Sequence, residues 1–351
     1  MSTDEILATQ KFVPTSKPKA SWRGAALRST TLYVAAALIV LITIFAVITG
    51  GIFLNTSNLQ SIGRNSAGLM LLAIGLVFVL GAGHIDLSVG STLVLSSVVA
   101  AKVTVALQGG TDAVGTSGNV TGAVLLGALA AVSAGAVMGL LNGLLVTRLR
   151  INSFVVTLGT MGIGIGAAQV ITNGANVPGL SYLIQTEFGT ANWLGIPVPL
   201  AVAIVVSVFA ALLLTQTSFG RHALAIGSSE NGARRAGVRV ERTTMGVFLV
   251  AGILAGGAGF FDITRFGTTA ISGHDTSMLQ ALSAVIIGGT SLFGGRASVL
   301  GASVATFIST VLLAGFVMVG VSSFYQQMAI GTVLIIAVWV DRIRRPKLGT
   351  A

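Results

Sequence analysis

The sequence predicts an all-α fold: a polytopic membrane helix bundle of about ten transmembrane helices, N-in and C-in. Three observations predict it. Of 351 residues, 53% are hydrophobic and only 9% are charged, against about 25% charged in an ordinary soluble domain. The 46 glycines and a mean hydropathy of +0.92 fit membrane helices, where glycine is more frequent and lets backbones approach closely. The basic residues are unevenly spread along the chain, and this asymmetry sets the orientation.

Residues 1–30 hold Lys11, Lys17, Lys19, Arg23 and Arg28 among Ser, Thr and Pro, without apolar periodicity, and read as a disordered cytoplasmic tail. The apolar stretch 31–52 is long enough to cross a ~30 Å hydrocarbon core at ~1.5 Å per residue, and too long for a signal-peptide core. Stretches at 67–83, 87–107, 120–146, 153–172, 199–214, 244–261, 279–293, 298–318 and 325–340 bring the spans to ten, with breaks or re-entrant turns near 80–90 and 288–296. Residues 31–340 thus form one membrane domain, and 341–351 a second cytoplasmic tail. This arrangement puts seventeen of the twenty Lys and Arg residues inside and leaves Arg64, Lys102 and Arg265 on or near the outside. The outer connection 173–198 carries Glu187 but no Lys or Arg, and is expected to hold a short interfacial helix around Tyr182 and Trp193. The inner loop 215–243 contains five arginines. Its middle reads as a short helix, with Ser228 or Ser229 as N-cap and Gly237 as terminator.

Several chemistries are excluded. There is no cysteine, and His84, His222 and His274 have no metal-ligand spacing, so no metal site is expected. No lysine stands in a G-x-x-x-x-G-K-[ST] context, so the chain does not hold ATP that way. The +10 net charge reports topology rather than a nucleic-acid partner. Asp86, beside Ser88 in GHIDLSVGS, is the one acid near a membrane-embedded turn. Either it caps the helix expected to begin near Leu87, or it marks a polar route or gate, since an intramembrane charge costs ~2.5–3.5 kcal/mol on insertion scales. His84 is either an interfacial histidine or a ligand contact. Asn65, Asn142, Thr157, Thr160, Gln169 and Gln280 are interhelical glue or part of the same route. The pairs Gly139/Gly143 and Gly252/Gly256 have GxxxG spacing and permit close helix approach. GHIDLSVG (83–90) and GGTSLFGG (288–295) echo one another, through internal repetition or chance.

Four segments then carry a resemblance: GHIDLSVGS (83–91), GLLNGLLVTRLRINSFVVTLGTM (139–161), FGRHALAIGSSENGARRAGV (219–238) and LSAVIIGGTSLFGG (282–295). Over about Asn58 to Val340 the chain resembles the permease subunits of bacterial ABC importers for monosaccharides, of the ribose, xylose and galactose type. The resemblance implies a type II (vitamin-B12-importer-like) ABC permease architecture in the bacterial cytoplasmic (inner) membrane. It implies a second permease copy or paralogue, with the translocation route between the two. A separate cytoplasmic ABC ATPase would bind ATP and Mg, leaving no cofactor to this chain, and a periplasmic sugar-binding protein would deliver the solute. Carried onto this sequence, 215–243 becomes a coupling loop. Its coupling segment is Glu230 to Val238, and Arg221, Glu230, Asn231, Arg234, Arg235 and Gly237 face the ATPase. Asp86, His84, Ser88, Asn65, Asn142, Thr157, Thr160 and Gln280 form the substrate pathway, and Arg64 and Arg265 dock the binding protein. Asn231 and Gly232 replace a usual acid and small residue, so the coupling helix is expected to be less regular. His84 replaces a glycine, Ile165 an arginine, and Met278 and Gln280 two acids. These losses have opposite signs, which fits removal of one electrostatic network and leaves room for polyols beside sugars. The rival functions are a secondary, ion-coupled transporter using Asp86, and a membrane enzyme, for which no catalytic constellation is visible.

Overall fold

The computed structural model describes residues 30–108, 120–272 and 274–343. The basic residues of both predicted tails, the side chain of Arg342 included, and Asp112 lie outside what is described. Twelve helices organise the described residues: α1 (Thr30–Ile48), α2 (Thr56–Gly81), α3 (Val89–Leu107), α4 (Val120–Arg148), α5 (Ser153–Thr172), α6 (Val198–Gln216), α7 (Ser218–Ser228), α8 (Glu230–Arg235), α9 (Val240–Phe266), α10 (Asp275–Ile287), α11 (Val299–Met318) and α12 (Ser323–Ile343). Among them α1 to α6, α9 and α11, eight helices, are long and apolar enough to cross a membrane. The other two predicted spans fall on α12 and on α10, whose 13 residues reach only about 20 Å at ~1.5 Å per residue.

Helix α2 is the centre of the bundle. Every residue from Leu69 to Ala82 is buried, and α6, α9, α10 and α11 pack around it, as an all-round apolar helix requires. By contrast α1 and α6 present open apolar rows such as Val47 and Phe209, the surface that hydrocarbon covers. The two GxxxG pairs meet each other where α4 crosses α9. A Cβ on Gly139 would strike the Phe248 carbonyl, and one on Gly252 the Gly135 carbonyl, so the backbones touch only because side chains are missing.

Four expectations need correction. The second span begins at Thr56 rather than near 67, because the Asn55 side chain accepts the Ser57 N–H at 3.2 Å, and Arg64 and Asn65, on its third turn, line a cavity. Helix α3 begins at Val89 rather than near Leu87. Helix α10, the eighth predicted span, runs 275–287 instead of 279–293, since Gly289, at φ 97°, starts a turn that glycine alone enters readily. Trp193 lies in no helix. It pairs with Ile196 in a two-stranded antiparallel hairpin, β1 (Asn192–Trp193) and β2 (Ile196–Pro197). Leu194 and Gly195 both have positive φ, the requirement of a two-residue primed turn. The helix expected at Tyr182 does form, over Tyr182–Ile184.

Candidate functional site

The candidate residues separate into three places. The first is sealed inside the bundle. Asp86 Oδ1 accepts the Ser88 backbone N–H at 2.8 Å and the Ser88 hydroxyl at 2.6 Å. Asn142 of α4 donates to Ser88 Oγ at 2.7 Å and accepts from Thr160 of α5 at 2.7 Å. Thr157 donates to the Ser153 carbonyl at 2.8 Å, while Ser153 Oγ accepts the Ile85 N–H at 3.2 Å. Asp86, Ser88, Asn142, Thr157 and Thr160 are all at most 3% exposed. Buried polar groups persist where partners satisfy them, and this set ties the 82–88 turn to α4 and α5.

The second place is the end of the bundle predicted to be cytoplasmic. Helix α8 forms as expected: Ser229 Oγ accepts the Gly232 N–H at 3.1 Å, and Gly237 follows it at φ 82°. Asn231 and Gly232 do not make it irregular, because the serine cap holds its first turn. Arg234 bridges Glu230 at 3.2 Å and Glu241, on the first turn of α9, at 2.8 Å, and these two carboxylates raise the pKa of its guanidinium. Asn231 and Arg235 stay exposed, and Arg221 holds the Gln216 carbonyl at 3.1 Å. Behind α8 lies a polar cavity of about 720 Å³ lined by His84, Arg150, Glu230, Arg234 and Glu241 among others. Burial keeps the His84 pKa below its usual 6.5, and Glu230 offsets part of that.

The two echoing segments meet here. Gly295 N–H donates to the Gly81 carbonyl at 3.0 Å, and Gly227, one residue before the end of α7, sits between the two turns. A Cβ on Gly227 would strike the Gly81 carbonyl and lie 2.7 Å from Gly295 N; one on Gly294 would lie 2.8 Å from Gly227 Cα and 2.9 Å from Gly83 Cα. The α7–α8 element therefore rests, backbone on backbone, against the Asp86 turn and against the turn before α11.

The third place is at the opposite end, beside the 192–197 hairpin. A cavity of about 290 Å³ is lined by Arg64, Asn65, Asp262, Arg265, His274 and Gln280, with Phe261 and Phe266 among its apolar walls. Arg64 donates to the Thr190 carbonyl at 3.0 Å and to Asn192 Oδ1 at 3.3 Å, while its Nε is buried without a partner. Arg265 lies over the Phe266 ring at 4.5 Å. His274 Nε2 is 3.2 Å from Asp262 and its Nδ1 3.3 Å from Ser277 Oγ. That serine–histidine–aspartate order resembles a hydrolase triad, but the serine contact is the i,i+3 approach at a helix start, and the set braces α9 to α10. The sequence marks neither Asp262 nor His274 as a site residue. Asp262 has a signal, one helical turn from Arg265; His274 has none. Ile165 and Met278 line a neighbouring cavity of about 270 Å³ that shares His274. Gln169 is exposed on α5.

A family model described as a branched-chain amino acid transport system permease component matches residues 58–338. The chain belongs to this permease family. It is 37% identical to the ribose import permease protein of Bacillus subtilis (strain 168), over 87% of this chain and 90% of that one. It is 34% identical to the L-arabinose ABC transporter permease protein of Azospirillum brasilense, over 84% and 82%. It is 32% identical to the D-allose transport system permease protein of Escherichia coli (strain K12), over 87% and 90%. No solved structure matches it significantly. This permease is a transport subunit of the inner membrane, and these three relatives are named for monosaccharides although the family description names amino acids.

Proposed function

We propose that this permease is the membrane-spanning subunit of an ATP-driven importer that moves a monosaccharide or related small polar solute delivered by a periplasmic binding protein. The carrying observation is the 37% identity to a ribose import permease across 87% of the chain, a span that includes all four segments quoted above. In this reading the bundle has ten spans with both ends inside, in the type II arrangement, and pairs with a second copy or a paralogue around the route. ATP and Mg belong to a separate ATPase, which receives α8 in a groove. Movement of α8 then passes through Gly227 to the Gly83 and Gly294 turns. The supporting geometry is the capped, exposed α8 and its glycine contacts. Placement of Ile165 and Met278 on one cavity supports the joint loss of an electrostatic network.

An ion-coupled role for Asp86 is disfavoured by its seal: at 3% exposure it is closed in by Ser88 and Asn142. Proteoliposomes test the reading. With ATPase and binding protein, uptake of radiolabelled D-ribose, D-allose or L-arabinose is expected to require ATP. Accumulation by this chain alone, driven by a proton or sodium gradient, would overturn it.

A further inference from the structure

We infer that the 290 Å³ cavity at the hairpin end is a monosaccharide-binding site of the permease itself, which holds the sugar after the binding protein releases it. The inference rests on the importer reading above and adds a site within a single protomer. Its volume is close to the ~300 Å³ lower bound of small-molecule sites. What marks it is unspent hydrogen-bonding capacity. The side chains of Asn65 and Gln280 line it and make no hydrogen bond among the described residues. Among the described residues the Arg64 Nε is buried and unpartnered, and the Arg265 guanidinium has a ring contact and no hydrogen bond. Elsewhere among the described residues the buried side-chain atoms without a partner are two separate hydroxyls, Ser96 Oγ and Thr104 Oγ1. Here four open groups, all on half-buried side chains, converge on one cavity from α2, α9 and α10, and that convergence points to a ligand.

The chemistry of the set selects the ligand. Two amides and two guanidiniums are planar and offer several donors, with acceptors on the amides. Such groups bridge neighbouring hydroxyls, each of which both donates and accepts. Asp262 supplies a further acceptor, and the Phe261 ring gives the C–H face of a sugar an apolar wall. One carboxylate against two guanidiniums would also suit an anion, but the acceptor oxygens of the two amides would then have nothing to accept from. The His274–Asp262 contact at 3.2 Å fixes the distance between the two helices that carry half the set.

The test uses the permease assembled with its ATPase in nanodiscs, without nucleotide and without binding protein, and radiolabelled D-ribose, D-allose and L-arabinose as probes. Saturable binding of at least one sugar is expected. Asn65→Leu and Gln280→Leu are each expected to weaken it roughly 3- to 10-fold, the loss of about one hydrogen bond, and the double variant to abolish it. Isosteric Gln280→Glu, which removes the donors and keeps the shape, gives the same loss should the leucine variants fail to fold. Two results would overturn the inference while leaving the importer reading intact. One is no saturable binding by a transporter that takes up one of these sugars with its binding protein. The other is unchanged sugar binding in variants that lose association with the binding protein, which would make the cavity a docking socket. Gradient-driven accumulation by this chain alone is the separate result that would overturn the importer reading, and this inference with it.

Discussion

The Asp86 network and the hairpin-end cavity contain similar residue types and have opposite hydrogen-bond states. In the network, Asn142 uses both ends of its amide, on Ser88 at 2.7 Å and on Thr160 at 2.7 Å. In the cavity, Asn65 and Gln280 have the same amide group and leave it open. A polar residue inside a membrane bundle is therefore not evidence of a route until its partners are known. Closed groups report on how the helices are held; open groups report on what they await.

The comparison can be broken most strongly at Asn142. Asn142→Leu removes the partner of two buried hydroxyls, and the fold is expected to lose roughly 1–3 kcal/mol, seen as a lower unfolding midpoint in detergent. An unchanged midpoint would mean the network is not structural. Gly227→Ala comes next. Its methyl group meets backbone of both adjoining turns, and overpacking of that kind costs about 1–3 kcal/mol; ATP-driven uptake should fall even in molecules that remain folded. Arg234→Glu should leave the midpoint alone, because the pair is exposed, and lower the uptake obtained per ATP hydrolysed. Unaltered coupling in that variant would remove α8 from the proposed ATPase interface.

The smallest effect concerns pH. Because the folded His84 holds its proton less tightly than the usual 6.5, the unfolded chain binds more protons below that value. Stability therefore falls as pH drops below about 6.5. His84→Asn should flatten this dependence, which a melting series from neutral to mildly acidic pH would show.

Features set by local chemistry were legible in the sequence. Ser229 as a cap, Gly237 as a terminator and the paired GxxxG glycines each follow from short-range geometry, and each is found where expected. The limits were equally physical. Leu194–Gly195 lacks the Asn-Gly signature of a primed turn, so the sequence points to a helix around Trp193 where the hairpin forms. The meeting of Asn65 with Gln280 depends on packing between α2 and α10, 215 positions apart in sequence, and no local pattern encodes it. Residue type groups Asn142 with Asn65; only the partners separate them.

The most direct test of that separation is to compare the unfolding midpoints of Asn142→Leu and Gln280→Leu in the same detergent, with ATP-driven uptake measured on each. The account predicts a clear fall in midpoint for Asn142→Leu and none for Gln280→Leu, with uptake reduced in both. A midpoint lowered equally in Gln280→Leu, or uptake preserved in that variant, would contradict it.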